Sequence, residues 1–340
     1  MPILINAYCT HRDPPAPAFP HGLNARRDRS DPELGEHLRG FAGYVASRGD
    51  GEMTAVRYHV LEHVRRVRHH LSLNVEQADL GGYAAWARVA NAISFLPDGT
   101  VRDPAGAVLV YPDDSEPDEA AELPYPGDAR ARKAAQEQRL AALGVETPPG
   151  LPPVVGEVEV ELRPAAEVAR RALALLAVAL RGESLAEERP LSADELRARC
   201  PGAFAALTPA EAAFLAEPAP ERQQVVEATW RYEALAALEW ALGLAGELPF
   251  PSRACQVDAV ARALQGDPGA VDGATLRPAA EVLDALDLHY RLHWAVRQAK
   301  LDGRPPPGGL IPGVVGERHQ ALNWLVRLHG ADWDEVDTPT

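Results

Sequence analysis

Three stretches of this 340-residue chain set charged, histidine and tryptophan side chains at helical spacing, and each could move protons or hold an anion. The first carries Asp284, Asp287, His289, Arg291, His293 and Trp294, the second Glu317, Arg318, His319 and Trp324, and the third Trp230, Arg231 and Glu233. A carboxylate near an arginine and an imidazole has the makings of acid–base chemistry. The carboxylate abstracts a proton, the arginine binds an anionic group and the histidine shuttles protons. In that version Glu233 or Glu317 is the general base of a hydrolase acting on a polar or anionic substrate. The same groups in a protein interior must pair with one another, and a network of that kind fixes a fold. The buried network is the preferred reading.

Helical phasing sorts these residues. At about 100° per residue, Leu288, Leu292, Ala295 and Val296 share one face of a helix over 276–301, and Leu283, Leu286, Tyr290 and Trp294 share another. Two apolar faces describe a central helix packed from both sides. One polar seam between them holds Asp284, Asp287 and Arg291, with Asp287 and Arg291 four apart and expected to pair. The other holds His289, His293, Arg297 and Lys300. In the next helix the phasing places Glu317 near the middle of the apolar face, Arg318 at its edge, and His319 with Asn323 on the opposite side. Trp230, Glu233, Ala237 and Trp240 form one stripe of a further helix, with Arg231 beside it. A shared interior seam is therefore expected, built from Trp230, Arg231, Glu233, Asp284, Asp287, Arg291, Trp294, Glu317, Arg318 and Trp324. The tail after Asp332 places its acids within reach of arginines, and Trp333 anchors it.

No metal site is expected. His59 and His63 are four apart, as zinc ligands can be, but no third ligand accompanies them and arginines intervene. A solvated basic helix face from Arg57 to His70 is the simpler reading. It could also dock an acidic partner. The chain holds no HExxH, P-loop, GxSxG or GxGxxG motif, so no cofactor is expected.

The elements around these residues read as α+β overall. Residues 1–112 alternate short strands with helices in a small α/β module. An acidic, proline-containing stretch at 113–125 reads as a linker, too polar to bury much surface. Residues 126–340 read as a predominantly helical domain. The net charge of -15 argues against a nucleic-acid partner. Cys9, Cys200 and Cys255 form no disulfide framework, which fits a reducing cytoplasm. The most apolar helical run, residues 165–180, is interrupted by Glu167, Arg170 and Arg171, so no membrane span is expected.

Six segments resemble a bacterial domain of unknown function, family 4272: residues 163–172 (RPAAEVARRA), 230–235 (WRYEAL), 276–290 (LRPAAEVLDALDLHY), 291–295 (RLHWA), 317–324 (ERHQALNW) and 333–338 (WDEVDT). They span about residues 126–340. The resemblance implies a domain boundary and assigns no catalytic residue. The function expected is non-catalytic binding or regulation, with a small anionic ligand or a protein as partner. Inhibition of another protein through the acidic surface, and the hydrolase, are the alternatives.

Overall fold

Apolar alternation in the first residues makes a strand, β1 (Ile3–Cys9), and sorts two cores. Ile5, Ala7 and Cys9 face one cluster while Tyr8 faces the other. The computed structural model describes residues 1–49, 53–265 and 273–340. Its contacts divide into two units, Met1–Arg130 with Val155–Val160, and Ala131–Val154 with Glu161–Thr340.

The first unit is a six-stranded antiparallel sheet. Besides β1 it contains β2 (Gly22–Asp28), α1 (Pro32–Ala46), α2 (Ala55–Arg66), β3 (His69–Val75), α3 (Leu80–Val89), β4 (Ala92–Phe95), β5 (Val101–Arg102) and β6 (Val108–Val110), in strand order β2-β3-β1-β4-β5-β6. Asp31 caps α1 by accepting from the Glu33 N–H, and Thr54 caps α2 through the Arg57 N–H. Phe41, Val45, Val60 and Val64 of these helices cover one sheet face. Tyr83, Trp86 and Ala87 of α3 cover the other.

Three details differ from the expectation. β2, an edge strand reading GLNARRD, has little apolar alternation because most of it stays in water. The helix expected to run to residue 71 stops at Arg66, and His70 stands in β3. The stretch from Arg57 to His70 is therefore not one solvated basic face. His63 is buried with its ring at 3.1 Å from the Tyr8 carbonyl, and Arg57 is buried too.

Residues 113–125 belong to the first unit. The Asp118 carboxylate accepts from the Val108 N–H and the Tyr111 hydroxyl, both at 2.8 Å, and Leu123 is buried. Composition measures side-chain burial and misses such backbone anchoring. Glu159 fixes the returning segment. It accepts from Arg66 and from Asn91 at 3.0 Å each, and from the Gly156 N–H at 2.8 Å.

The second unit is helical, with most of α4 (Gly127–Ala142), then α5 (Ala165–Ala186), α6 (Ala193–Arg199), α7 (Pro209–Ala216), α8 (Arg222–Ala241), α9 (Val257–Gln265), α10 (Ala279–Leu301) and α11 (Pro312–Leu325). Helix α8 packs on α5 and α11, and α11 packs on α10. Its second half, from Tyr232 to Ala241, is buried on every side. Gly182 of α5 lets the two backbones approach, since a Cβ there would stand 2.7 Å from the Ala228 Cβ. Among the described residues, no helix is long and apolar enough to cross a membrane.

Candidate functional site

The polar side chains of the second unit are held by helices buried on several sides, so each must find its partner inside. They form separate clamps rather than one seam. The tightest links α8 to α11. Arg318 donates through Nε and Nη2 to one oxygen of Glu233, at 3.0 and 2.8 Å, and through Nη1 to the Pro249 carbonyl at 2.5 Å. The other Glu233 oxygen accepts from the Cys255 N–H at 2.6 Å. Burial, and then the Glu233 carboxylate, push the Cys255 thiol up to about 12, so at neutral pH it is a thiol rather than a nucleophilic thiolate.

The second clamp lies nearer the surface. Arg231 spans both Glu317 oxygens at 3.1 and 3.0 Å and also reaches Gln320 at 3.1 Å. Burial raises the Glu317 pKa, and Arg231 opposes the rise. The expected order of burial along α11 is thus reversed: Arg318 is sealed, while Glu317 is partly exposed.

In α10 the anticipated Asp287–Arg291 pair forms, at 2.8 and 3.0 Å, with both side chains wholly buried. Its further partners are Glu137 of α4 and the Pro152 carbonyl, not α8 or α11. Asp284 points to the surface and meets Arg132 at 2.9 Å. Trp230 lies over Gly313, where a Cβ would come within 3.0 Å of its ring. The acids of the tail are exposed. What docks the tail is Trp333, edge-on to Trp324 at 5.5 Å, together with backbone carbonyls.

Of the imidazoles expected away from the core, His289 and His319 are buried inside it and His293 is half-buried beside His319. His319 is buried with Asn323, and His293 meets it Nδ1 to Nδ1 at 2.9 Å. The Asn323 amide donates to His319 Nε2 at 3.2 Å and to the Asp337 carbonyl at 3.0 Å. His319 then carries its proton on Nδ1 and donates it to His293, which leaves His293 its own proton on Nε2. Both rings are neutral: burial, then Arg297, lowers His293 to about 4, and burial takes His319 well below its usual value. Among the described residues, no three His, Cys, Asp or Glu side chains are placed to hold a metal ion.

Phasing also missed a pair of arginines that use one device twice. Arg163, before α5, donates from Nε to the Trp324 carbonyl at 2.7 Å, stacks on the Trp324 ring at 4.4 Å, and bonds Glu167 at 2.5 Å. Arg277, before α10, donates from Nε to the Trp240 carbonyl at 2.7 Å, stacks on Trp240 at 5.1 Å, and bonds Glu281 at 2.9 Å. Their backbone N–H groups match as well, reaching Leu325 O and Ala241 O at 3.0 and 2.8 Å. The start of α5 thereby locks the end of α11, and the start of α10 locks the end of α8. The signal lies in the sequence, where the heptapeptide LRPAAEV occurs at 162–168 and again at 276–282. One lock is thus used twice in the unit, each time by the start of one helix on the end of another. Each Arg→Ala change is expected to lower stability by about 2–3 kcal/mol, from a charged-donor bond and the cation–π contact. Urea unfolding checks this, and equal losses at both sites would match the equal geometry.

The last of the expected residues, Trp294, opens onto a cavity of about 480 Å³. Gln298, Thr147, Pro148 and Arg304 share its wall. The Arg304 side chain is 67% exposed, and its charged partner is Asp302 at 2.5 Å.

Fold and clamps together define a helical domain stiffened by buried arginine–carboxylate pairs. Residues 132–336 match a domain of unknown function, DUF4272, and the chain belongs to that family. Comparison with curated proteins and with solved structures finds no match.

Proposed function

We propose that the helical unit is a non-catalytic binding or regulatory protein that takes a small anionic ligand in the cavity beside Trp294. The observation that carries this reading is a tryptophan wall facing an exposed guanidinium, which Asp302 holds by one nitrogen and which shares the cavity with the Glu146 carboxylate. Trp294 offers a flat apolar surface, Gln298 a neutral amide, and Arg304 a charge on a cavity of about 480 Å³, within the range of small-ligand sites. The hydrolase alternative asks Glu233 or Glu317 to act as a free base, and each is already occupied by an arginine. The clamps, in this reading, hold the cavity's walls rigid. Unpaired Cys9 and Cys200, both buried, fit a cytoplasmic setting.

Thermal unfolding in phosphate, sulfate and citrate tests the proposal. A ligand at a hundred times its Kd adds about 2.7 kcal/mol, a Tm rise on the order of 5–10 °C. The rise is expected to vanish in Arg304→Ala and to be accompanied by a change in tryptophan emission that Trp294→Phe removes. A flat response to all three anions would count against the reading.

A further inference from the structure

The first unit contains a cavity that none of the clamps explains. On the sheet face covered by α3, the helix packs with residues of β3, β1 and β4, and the cavity opens beside it toward the β4–β5 turn. In the β4–β5 ladder Ser94 is paired with Arg102, and both residues line this cavity. Its volume of about 510 Å³ lies between Ile3 and Ile5 of β1, Leu80 and Ala84 of α3, and the turns after β4 and β5. Its floor is a pair of hydroxyls. Tyr83 Oη and Ser94 Oγ lie 2.5 Å apart, with the tyrosine 6% and the serine 2% exposed.

The pair has one proton to spare. Two hydroxyls bring two O–H donors, and the bond between them uses one. Whichever group donates, the other keeps an O–H that no atom of the described residues accepts. The charged groups at the rim are committed. Arg102 donates to the Thr100 hydroxyl at 2.9 Å, to the Gly106 carbonyl at 3.2 Å and to Asp98 at 3.2 Å. Asp103 accepts from the backbone of Ala105, Ala107 and Glu122 at 2.7, 3.0 and 3.0 Å. A guest therefore meets largely aliphatic walls and one free hydroxyl donor at the buried floor, with the exposed Gln77 amide out at the rim. The volume suits a small molecule and is too small for a docked helix.

We infer that this cavity is a second binding site, for a neutral, mainly apolar small molecule with one hydrogen-bond acceptor at its end. The acceptor takes the free hydroxyl proton of the Tyr83–Ser94 pair, and the apolar body lies on Ile3, Ile5 and Leu80. The site is independent of the anion cavity in the helical unit, since it uses other residues and the opposite ligand chemistry.

The probe is N-phenyl-1-naphthylamine with the full chain, competed by acetophenone and by ethylbenzene, which has a similar apolar body and no acceptor. The expected result is a saturable fluorescence rise at one site, displaced by both competitors, with acetophenone about fivefold the stronger for one neutral hydrogen bond. Ala84→Trp, which fills the cavity, abolishes the rise. The double change Tyr83→Phe with Ser94→Ala removes both hydroxyls together, leaves no orphaned polar group, and equalises the two competitors. No saturable binding overturns the site. Binding that survives Ala84→Trp in a protein of unchanged circular dichroism also overturns it. Equal competition in the unaltered protein, or a preference that outlasts the double change, overturns the role of the hydroxyl pair.

Discussion

Arg318→Met is expected to destabilise the protein by about 3–5 kcal/mol, because it strands a carboxylate in the interior. Arg318 and Glu233 are 1% and 3% exposed in their side chains. Without the guanidinium, Glu233 keeps one hydrogen bond, from the Cys255 N–H at 2.6 Å, and the Pro249 carbonyl loses its donor as well. Methionine fills much of the arginine's volume, so a cavity contributes little to the loss. The second member of the experiment is the double change Arg318→Met with Glu233→Leu. Removing a buried pair and replacing it with apolar groups is often neutral or better, so the double variant is expected to regain most of the loss. Urea unfolding followed by tryptophan emission measures both. If the double variant is no better than the single one, the cost comes from packing rather than from an unpaired charge. A single-variant loss below about 1 kcal/mol would mean that Glu233 reaches water, and the clamp would be cosmetic.

How much of this was legible follows from how many sides each helix buries. The first module's succession of short strands and helices was legible, because each helix buries one face, as Phe41, Val45, Val60 and Val64 do against the sheet. The α10 pair was legible too, since Asp287 and Arg291 lie one turn apart on a single helix. Phasing failed on α11. It is packed by both α8 and α10, so it has two inner faces, and a wheel that assumes one sent Glu317 inward and His319 outward. The same limit hid the tautomer chain from His293 through His319 to Asn323, which depends on how two helices are rotated against each other. β2 was hidden for a different reason: an edge strand in water leaves no pattern to read. The repeat that marks both arginine locks was legible without any structure, because LRPAAEV occurs twice. What no sequence pattern supplied is which helix end each arginine would close on.

The two locked tryptophans are preceded by chemically different residues, and this difference leads to the second large effect. In α8 the residue before the locked Trp240 is Glu239; in α11 the residue before the locked Trp324 is Asn323. Asn323 is satisfied, donating to His319 and to the Asp337 carbonyl. Glu239 is 1% exposed, and its Oε1 has no hydrogen-bond partner among the described residues. Burial alone pushes its carboxyl up to about 8. A carboxyl whose folded pKa lies above its unfolded value binds its proton more tightly in the native state. Its contribution is therefore fully present below about 4.5 and is lost as pH rises toward about 8, at about 1.4 kcal/mol per pH unit. The protein is expected to lose a few kcal/mol of stability across that window through this one side chain. Glu239→Gln keeps the shape and removes the titration, so its curve of stability against pH flattens there. Near pH 5 the variant and the parent are expected to unfold at similar urea concentrations, and near pH 9 the variant is expected to be the more stable by a few kcal/mol. Parallel curves for the two proteins from pH 5 to pH 9 would show that Glu239 ionises normally, through water or a partner that enters the interior. A flattened curve in Glu239→Gln would instead mark Glu239 as a buried neutral acid, kept where the other locked tryptophan is preceded by an amide with both its bonds made.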